Sequence, residues 1–235
     1  MNKRKIFTLA LSVMMVAILA IGGTIAYFTD TDTATNVFTI GDVDIKLNEE
    51  FPEDELMPGE NNALDKVVTV ENIGPNAAYM WIELWIPADL DTPGNAGQND
   101  LHFNPFDTYD VDGVPTPMRG KVAQAAGYTK LAETVEVELG SKEINGVTYN
   151  GYREYIKNDT PKATGESTYA LLARVFMDQK VAQCEDDTHA DGCMVLRDGA
   201  HYTGSWEIIV NAYGIQADGF ANIEEAIASY DGKVL

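Results

Sequence analysis

The softest metal-capable side chains in this 235-residue chain are two cysteines and three histidines. Cys184 and Cys193 flank the acidic stretch EDDTHADG. Outside the cytosol, two cysteines this close are most simply a disulfide. Closing such a short loop is worth about 2.7 kcal/mol on the chain-entropy account. The alternative is a metal held by both thiolates and His189, but this supplies only three soft ligands at an unfamiliar spacing. His102, His189 and His201 are scattered, with no His-Glu-x-x-His pair, no Gly-x-Ser-x-Gly and no glycine-rich phosphate loop. No catalytic residue is therefore assigned from the sequence. Hard oxygen ligands are plentiful by contrast: Asp107, Asp110 and Asp112 precede Gly113, and Glu185, Asp186, Asp187 and Asp191 crowd the cysteine loop. These are the oxygens calcium prefers, and Asp107, Asp110 and Asp112 are the calcium candidates. Their spacing is not that of an EF-hand, because Arg119 falls where a bidentate Glu is needed. A solvated acidic surface is the competing reading.

Charge narrows the classes further. The chain has 16 Lys+Arg against 37 Asp+Glu, a net charge of −21, which excludes nucleic-acid binding through a basic face. With 45% hydrophobic residues it has ample material for a core. Lys3, Arg4 and Lys5 precede an apolar run from Ile6 to Ile21, then Gly22, Gly23, Thr24 and Ala26. This pattern predicts a signal peptide over residues 1–26, with Thr24 and Ala26 as the small residues before a cut at Tyr27. An uncleaved membrane anchor is the alternative, and it would be the protein's only contact with a membrane. Either way the domain is exported, and cleavage takes the net charge from −21 to −24.

The elements that must position these residues read as strands. Val43, Ile45 and Leu47 alternate with polar residues, Lys66 to Val70 is β-branched, and Ala78 to Ile86 sets Met80, Ile82 and Leu84 against Tyr79, Trp81 and Trp85. Thr134 to Leu139, Lys142 to Tyr155, Thr168 to Met177 and Ser205 to Ile215 continue the pattern. Asn145-Gly146 and Asn150-Gly151 both read as hairpin turns, and Trp206, Ile208, Val210 and Ala212 share one strand face. About eight strands predict a β-sandwich with Trp81, Trp85 or Trp206 in its two-sheet core. Pro87 to Arg119, rich in Pro and Gly, predicts a long excursion leading to a short helix near Lys121 to Ala132. Ile223, Ala226, Ile227 and Tyr230 after Asn222 predict a C-terminal amphipathic helix. The Thr-rich stretch from Tyr27 to Ile40 is either an ordinary first strand or one that adds to a neighbour's open sheet edge, with Val37, Phe38 and Ile40 filling apolar pockets.

Several short pieces, taken in order, resemble the TasA/camelysin family of Gram-positive bacteria. They are Gly22-Gly23-Thr24-Ile25-Ala26 with Tyr27-Phe28-Thr29-Asp30, then Phe38-Thr39-Ile40-Gly41-Asp42-Val43-Asp44-Ile45. Met57-Pro58-Gly59-Glu60, Val67 to Gly74 ending in Asn72-Ile73-Gly74, and Ala212 to Phe220 complete the set. The resemblance is strongest over residues 1–86 and 204–221. It implies a jelly-roll sandwich, export and trimming by a SipW-type signal peptidase, and self-association into biofilm-matrix fibres in which residues 27–40 complement the next subunit's sheet. Some relatives are described as surface metallopeptidases, an activity for which this sequence offers no zinc motif. The cysteine pair and the Pro87 to Arg119 excursion have no counterpart in the resemblance.

The sequence thus predicts an all-β, jelly-roll-like antiparallel β-sandwich with a long loop excursion (87–132) and short peripheral helices. It forms one domain over 27–235, secreted to the extracellular matrix or cell surface. No cofactor is expected apart from weakly held calcium. The leading function is a structural fibre subunit. A metallopeptidase and a non-polymerising surface-binding module are the alternatives.

Overall fold

The computed structural model describes residues 37–40, 43–50, 58–184, 193–204 and 207–234. The signal segment with Thr24, Ala26 and Tyr27, the stretch up to residue 36, most of the cysteine loop including His189, and Trp206 lie outside the described residues. In chain order the principal strands are β1 (Val37–Ile40), β2 (Ile45–Glu50), β3 (Leu64–Asn72), β4 (Ala78–Pro87) and β5 (Leu101–Asn104). The three short strands of the excursion are β6 (Thr108–Val111), β7 (Val114–Pro117) and β8 (Thr129–Ala132), with helix α1 (Gly120–Ala126) between β7 and β8. Then come β9 (Thr134–Ile144), β10 (Val147–Ile156), β11 (Leu172–Met177), the two-residue strands β12 (Ala182–Gln183), β13 (Met194–Val195) and β14 (His201–Tyr202), β15 (Ile209–Gln216), and helix α2 (Ile223–Val234).

Two sheets face each other. One is ordered β1-β15-β4-β10-β9 and the other β2-β3-β11-β5. The all-β sandwich read from alternation is the observed class. The expectation of about eight strands is corrected upward, because short strands occur in the excursion and around the cysteine loop, where only tertiary pairing makes a few residues count as a strand.

The core between the sheets comes from period-2 alternation. Met80, Ile82, Leu84 and Ile86 of β4 meet Val68, Val70, Leu172 and Val175 of the opposing sheet, with Val210 and Ala212 of β15 beside them. Every residue of β4 is buried, because its other face is covered as well. There Trp81 stacks on Tyr213 at 5.7 Å between ring centroids and meets the edge of Tyr230 at 5.3 Å. Trp81 is thus corrected out of the two-sheet core: it lies under α2, in a second cluster with Ile223, Ala226 and Ile227. Trp85 shares this outer face, with the Lys142 ammonium 3.4 Å above its ring. Trp81 can face outward because α2 provides a second apolar layer over it. That helix starts as its sequence indicates: Asn222 Oδ1 accepts the Glu225 N–H at 2.8 Å, and Glu225 reaches back to accept the Ala221 N–H.

Turn chemistry explains two further departures. Asn145 (φ 52°) and Gly146 (φ 83°) make the left-handed two-residue turn joining β9 to β10. Asn150-Gly151, in contrast, lies inside β10 and is no turn. Gly151 is there because a Cβ would stand 2.5 Å from the Trp85 ring, and Asn150 because its amide donates to Asp91 Oδ2 at 3.0 Å and accepts from Ser141 at 2.7 Å. The helix expected over residues 121–132 ends at Ala126, because Gly127 takes φ 74° and closes it, freeing residues 129–132 to pair with β6.

Candidate functional site

β1 occupies one edge of the five-stranded sheet, its neighbour being β15. This is a parallel pairing, Val37 opposite Ala212, Phe38 opposite Tyr213, Thr39 opposite Gly214 and Ile40 opposite Ile215, whereas the other registered ladders are antiparallel. Parallel pairing follows from what comes next, since the chain leaves β1, crosses between the sheets and enters β2 in the opposite sheet by Ile45.

The crossing strap is anchored by residues far away in sequence. Val43 and Ile45 are buried, and both press on Gly214, where a Cβ would come within 3.0 Å of Ile45 and 3.1 Å of Val43. The Asp44 carbonyl accepts the N–H groups of Ile73 at 2.9 Å and Gly74 at 2.8 Å. Gly74 permits this approach because its Cβ would lie 2.5 Å from Asp44 N. Asn72, fully buried, organises the corner: its Oδ1 accepts the Gly74 N–H at 2.9 Å, and its amide donates to the carbonyls of Asn76 at 2.8 Å and Lys162 at 2.7 Å. Pieces read as separate motifs, Val43 to Ile45, Asn72-Ile73-Gly74 and Ala212 to Gly214, therefore meet at one corner. The Pro58-Gly59 turn is placed elsewhere, on β11, where Gly59 at φ 100° donates to the Met177 carbonyl at 2.9 Å. Asn72 falls within one of these motifs, but its spacing carries no sign that its amide ties three segments together.

The acidic candidates have local employment. Asp107 Oδ2 pairs with Lys130 at 3.1 Å and its Oδ1 accepts the Thr134 N–H at 3.1 Å. Asp110 Oδ1 accepts the Gly113 N–H at 2.7 Å, and Asp112 (φ 53°) with Gly113 (φ 85°) forms the tight turn from β6 to β7. Among the described residues, the group of three metal-capable side chains that converges does not include them: it is Cys184, Cys193 and His201. Cys184 and Cys193 form a disulfide at the base of the β12–β13 hairpin, where the Cys184 N–H also donates to the Cys193 carbonyl at 3.1 Å. His201 arrives from β14, its Nδ1 3.4 Å from Cys184 Sγ and 3.7 Å from Cys193 Sγ. The sequence reading paired the cysteines with His189 as the metal alternative and missed His201, which only the β13–β14 pairing brings in.

Two other titratable sites are structural in their surroundings. His102 stacks on Phe176 and its Nε2 is 3.3 Å from Asp178 Oδ2. Burial alone would raise the Asp178 carboxyl, but the Lys180 N–H, His102 and Arg197 together hold it below the usual carboxylate range. Glu154 of β10 is fully buried with both carboxylate oxygens unpaired, opposite Glu136 of β9. Burial, reinforced by Glu136, pushes its carboxyl well above the ordinary range.

Residues 2–76 match the family model described as camelysin metallo-endopeptidase. Neither the curated proteins nor the solved structures give a significant match. The matched segment contains β1, the strap, and Asn72 to Gly74. This description implies a catalytic metal, and the described side chains offer one converging group of candidate ligands. The soft trio is the group that converges, and with its sulfurs joined it presents one histidine nitrogen, so in this state it does not fit a catalytic zinc.

Proposed function

Because residues 2–76 match the camelysin family model, and proteins of that family are extracellular or cell-surface associated, we propose that the chain is an exported structural subunit that assembles by strand addition between copies. The observation that carries this reading is β1. It is four residues long, lies at a sheet edge, and is joined to the rest of the domain through the short strap beyond Ile40. The same segment from a second copy offers β15 an identical ladder, so exchanging one for the other conserves the main-chain hydrogen bonds and changes only the path of the strap. Residues 27–36 lengthen the segment that a neighbour could receive. Self-association of this kind would make a fibre, because each subunit gives a strand at one point and accepts one at another.

Electron microscopy of purified residues 27–235, next to a variant lacking 27–40, tests the proposal. Filaments from the longer protein and a folded, non-elongating monomer from the shorter one are expected. Filaments from both would overturn strand addition. The family description names a metallo-endopeptidase, so the same preparation is assayed for protein cleavage with and without a chelator. Cleavage that the chelator abolishes, without filaments, would replace the structural reading with the enzymatic one.

A further inference from the structure

We infer that Cys184, Cys193 and His201 form a redox-gated site for a soft divalent cation, zinc above all: closed to metal while the disulfide stands, and open once it is reduced. The geometry carries the argument. In a tetrahedral zinc site with Zn–S of about 2.3 Å and Zn–N of about 2.0–2.1 Å, a sulfur and a nitrogen ligand stand about 3.6 Å apart and two sulfurs about 3.8 Å apart. His201 Nδ1 lies 3.4 and 3.7 Å from the two sulfurs, so both sulfur–nitrogen edges of that tetrahedron already exist in the disulfide form. Only the sulfur–sulfur edge must lengthen, and breaking the bond does that.

The surrounding backbone is built to keep the three groups together. Cys184 and Cys193 continue the β12–β13 register of Ala182 opposite Val195 and Gln183 opposite Met194. β14 brings His201 opposite Val195, diagonal to Cys193 across the ladder. Met194 and Tyr202 are buried beneath, fixing this small sheet to the domain whether or not the sulfurs are bonded. Cys193 is buried, Cys184 half-buried and His201 exposed, so an ion held by the three has its remaining position toward solvent, where water can take it.

The steps balance. A dithiol reductant transfers two electrons and two protons to the S–S bond and leaves as its own disulfide, producing two cysteine thiols. Zinc then displaces the two thiol protons to solvent, and neutral His201 donates its Nδ1 lone pair to the ion. Exchange with an external disulfide reverses this: the two thiolates pass two electrons to that disulfide, which takes up two protons and leaves as its dithiol, and the metal, deprived of both sulfur ligands, is released. The site thus reads the thiol–disulfide state of its surroundings as metal occupancy.

Cobalt(II) is the probe, because thiolate coordination gives it charge-transfer absorption that oxygen ligands do not. The full chain, reduced with a phosphine and cleared of it, should develop these bands to a plateau at one equivalent of cobalt, and zinc should displace them. The oxidised chain should show none. His201→Ala, at an exposed position, should fold normally and bind cobalt about tenfold or more weakly. Zinc at a concentration that just saturates the wild type should also protect both of its thiols from alkylation and protect those of the variant less. Bands in the oxidised protein, no stoichiometric binding by the reduced protein, or unchanged affinity in His201→Ala would each overturn the proposal.

Discussion

The two edges of the five-stranded sheet are built in opposite ways. At one end β9 runs for eleven residues in an antiparallel ladder with β10, closed by the Asn145-Gly146 turn. Among its exposed positions, which include Val137, are the charged Glu136, Glu138, Lys142 and Glu143, and the ladder shifts register beside Gly151 with Gly140 opposite at φ 83°. Charges and a bulge are the ordinary means of keeping an edge from pairing with another molecule. At the other end, β1 is four uncharged residues, Val37-Phe38-Thr39-Ile40, paired in parallel and held through a strap. The local hairpin secures β9, whereas β1 depends on a corner assembled from Asp44, Asn72 and Gly74. An edge guarded by charges and a bulge and an edge without either thus coexist in one sheet, and the difference lies in whether local or distant residues fix the terminal strand.

Breaking the corner should have the largest effect. Asn72→Ala removes three side-chain hydrogen bonds at once from a buried corner, those to the Gly74 N–H and to the carbonyls of Asn76 and Lys162, so a loss of roughly 2–4 kcal/mol is expected by denaturant unfolding. Hydrogen exchange in β1 should rise more than in β9; equal rises would show that the strap is not what secures the edge. Gly151→Ala attacks the opposite end by driving a methyl into the Trp85 ring, and about 1–3 kcal/mol should be lost with the β1 region undisturbed.

Glu154, between the two halves of this comparison on β10, makes stability depend on pH. Its folded-state affinity for a proton is raised, so above its ordinary value of 4.5 the unfolded chain releases a proton that the folded chain keeps. Stability should therefore fall as pH rises from that value toward the folded one. Glu154→Gln should flatten the slope, stabilising the fold at pH 8 relative to wild type with little change at pH 4, as measured by unfolding at both. Lys142→Ala should have the smallest effect, about 0.5–1 kcal/mol from the lost contact over Trp85. The same substitution removes a charge from the blunted edge, so light scattering at high concentration would sharpen the comparison: greater self-association would identify Lys142 as a guard.

Much of this could be read from residue order. Alternation in β4, the Asn145-Gly146 turn and the Asn222-capped helix are local signals, carried by neighbours two, three or four positions apart, and each marks its element wherever the chain folds. The acidic charge and the closely spaced cysteines are equally local. What spacing could not carry was partnership across long separations. Asn150-Gly151 has the same letters as the true turn, yet Trp85 and Asp91 claim them for the middle of a strand. Trp81 alternates like a core residue and is buried, but α2 decides which face it covers. The parallel seat of β1 on β15, the meeting of Asp44 with Asn72 and Gly74, and the arrival of His201 beside the two sulfurs all depend on strand order. Strand order is set by the summed burial of whole faces, so it belongs to the tertiary structure; periodicity along the chain determines only which faces exist.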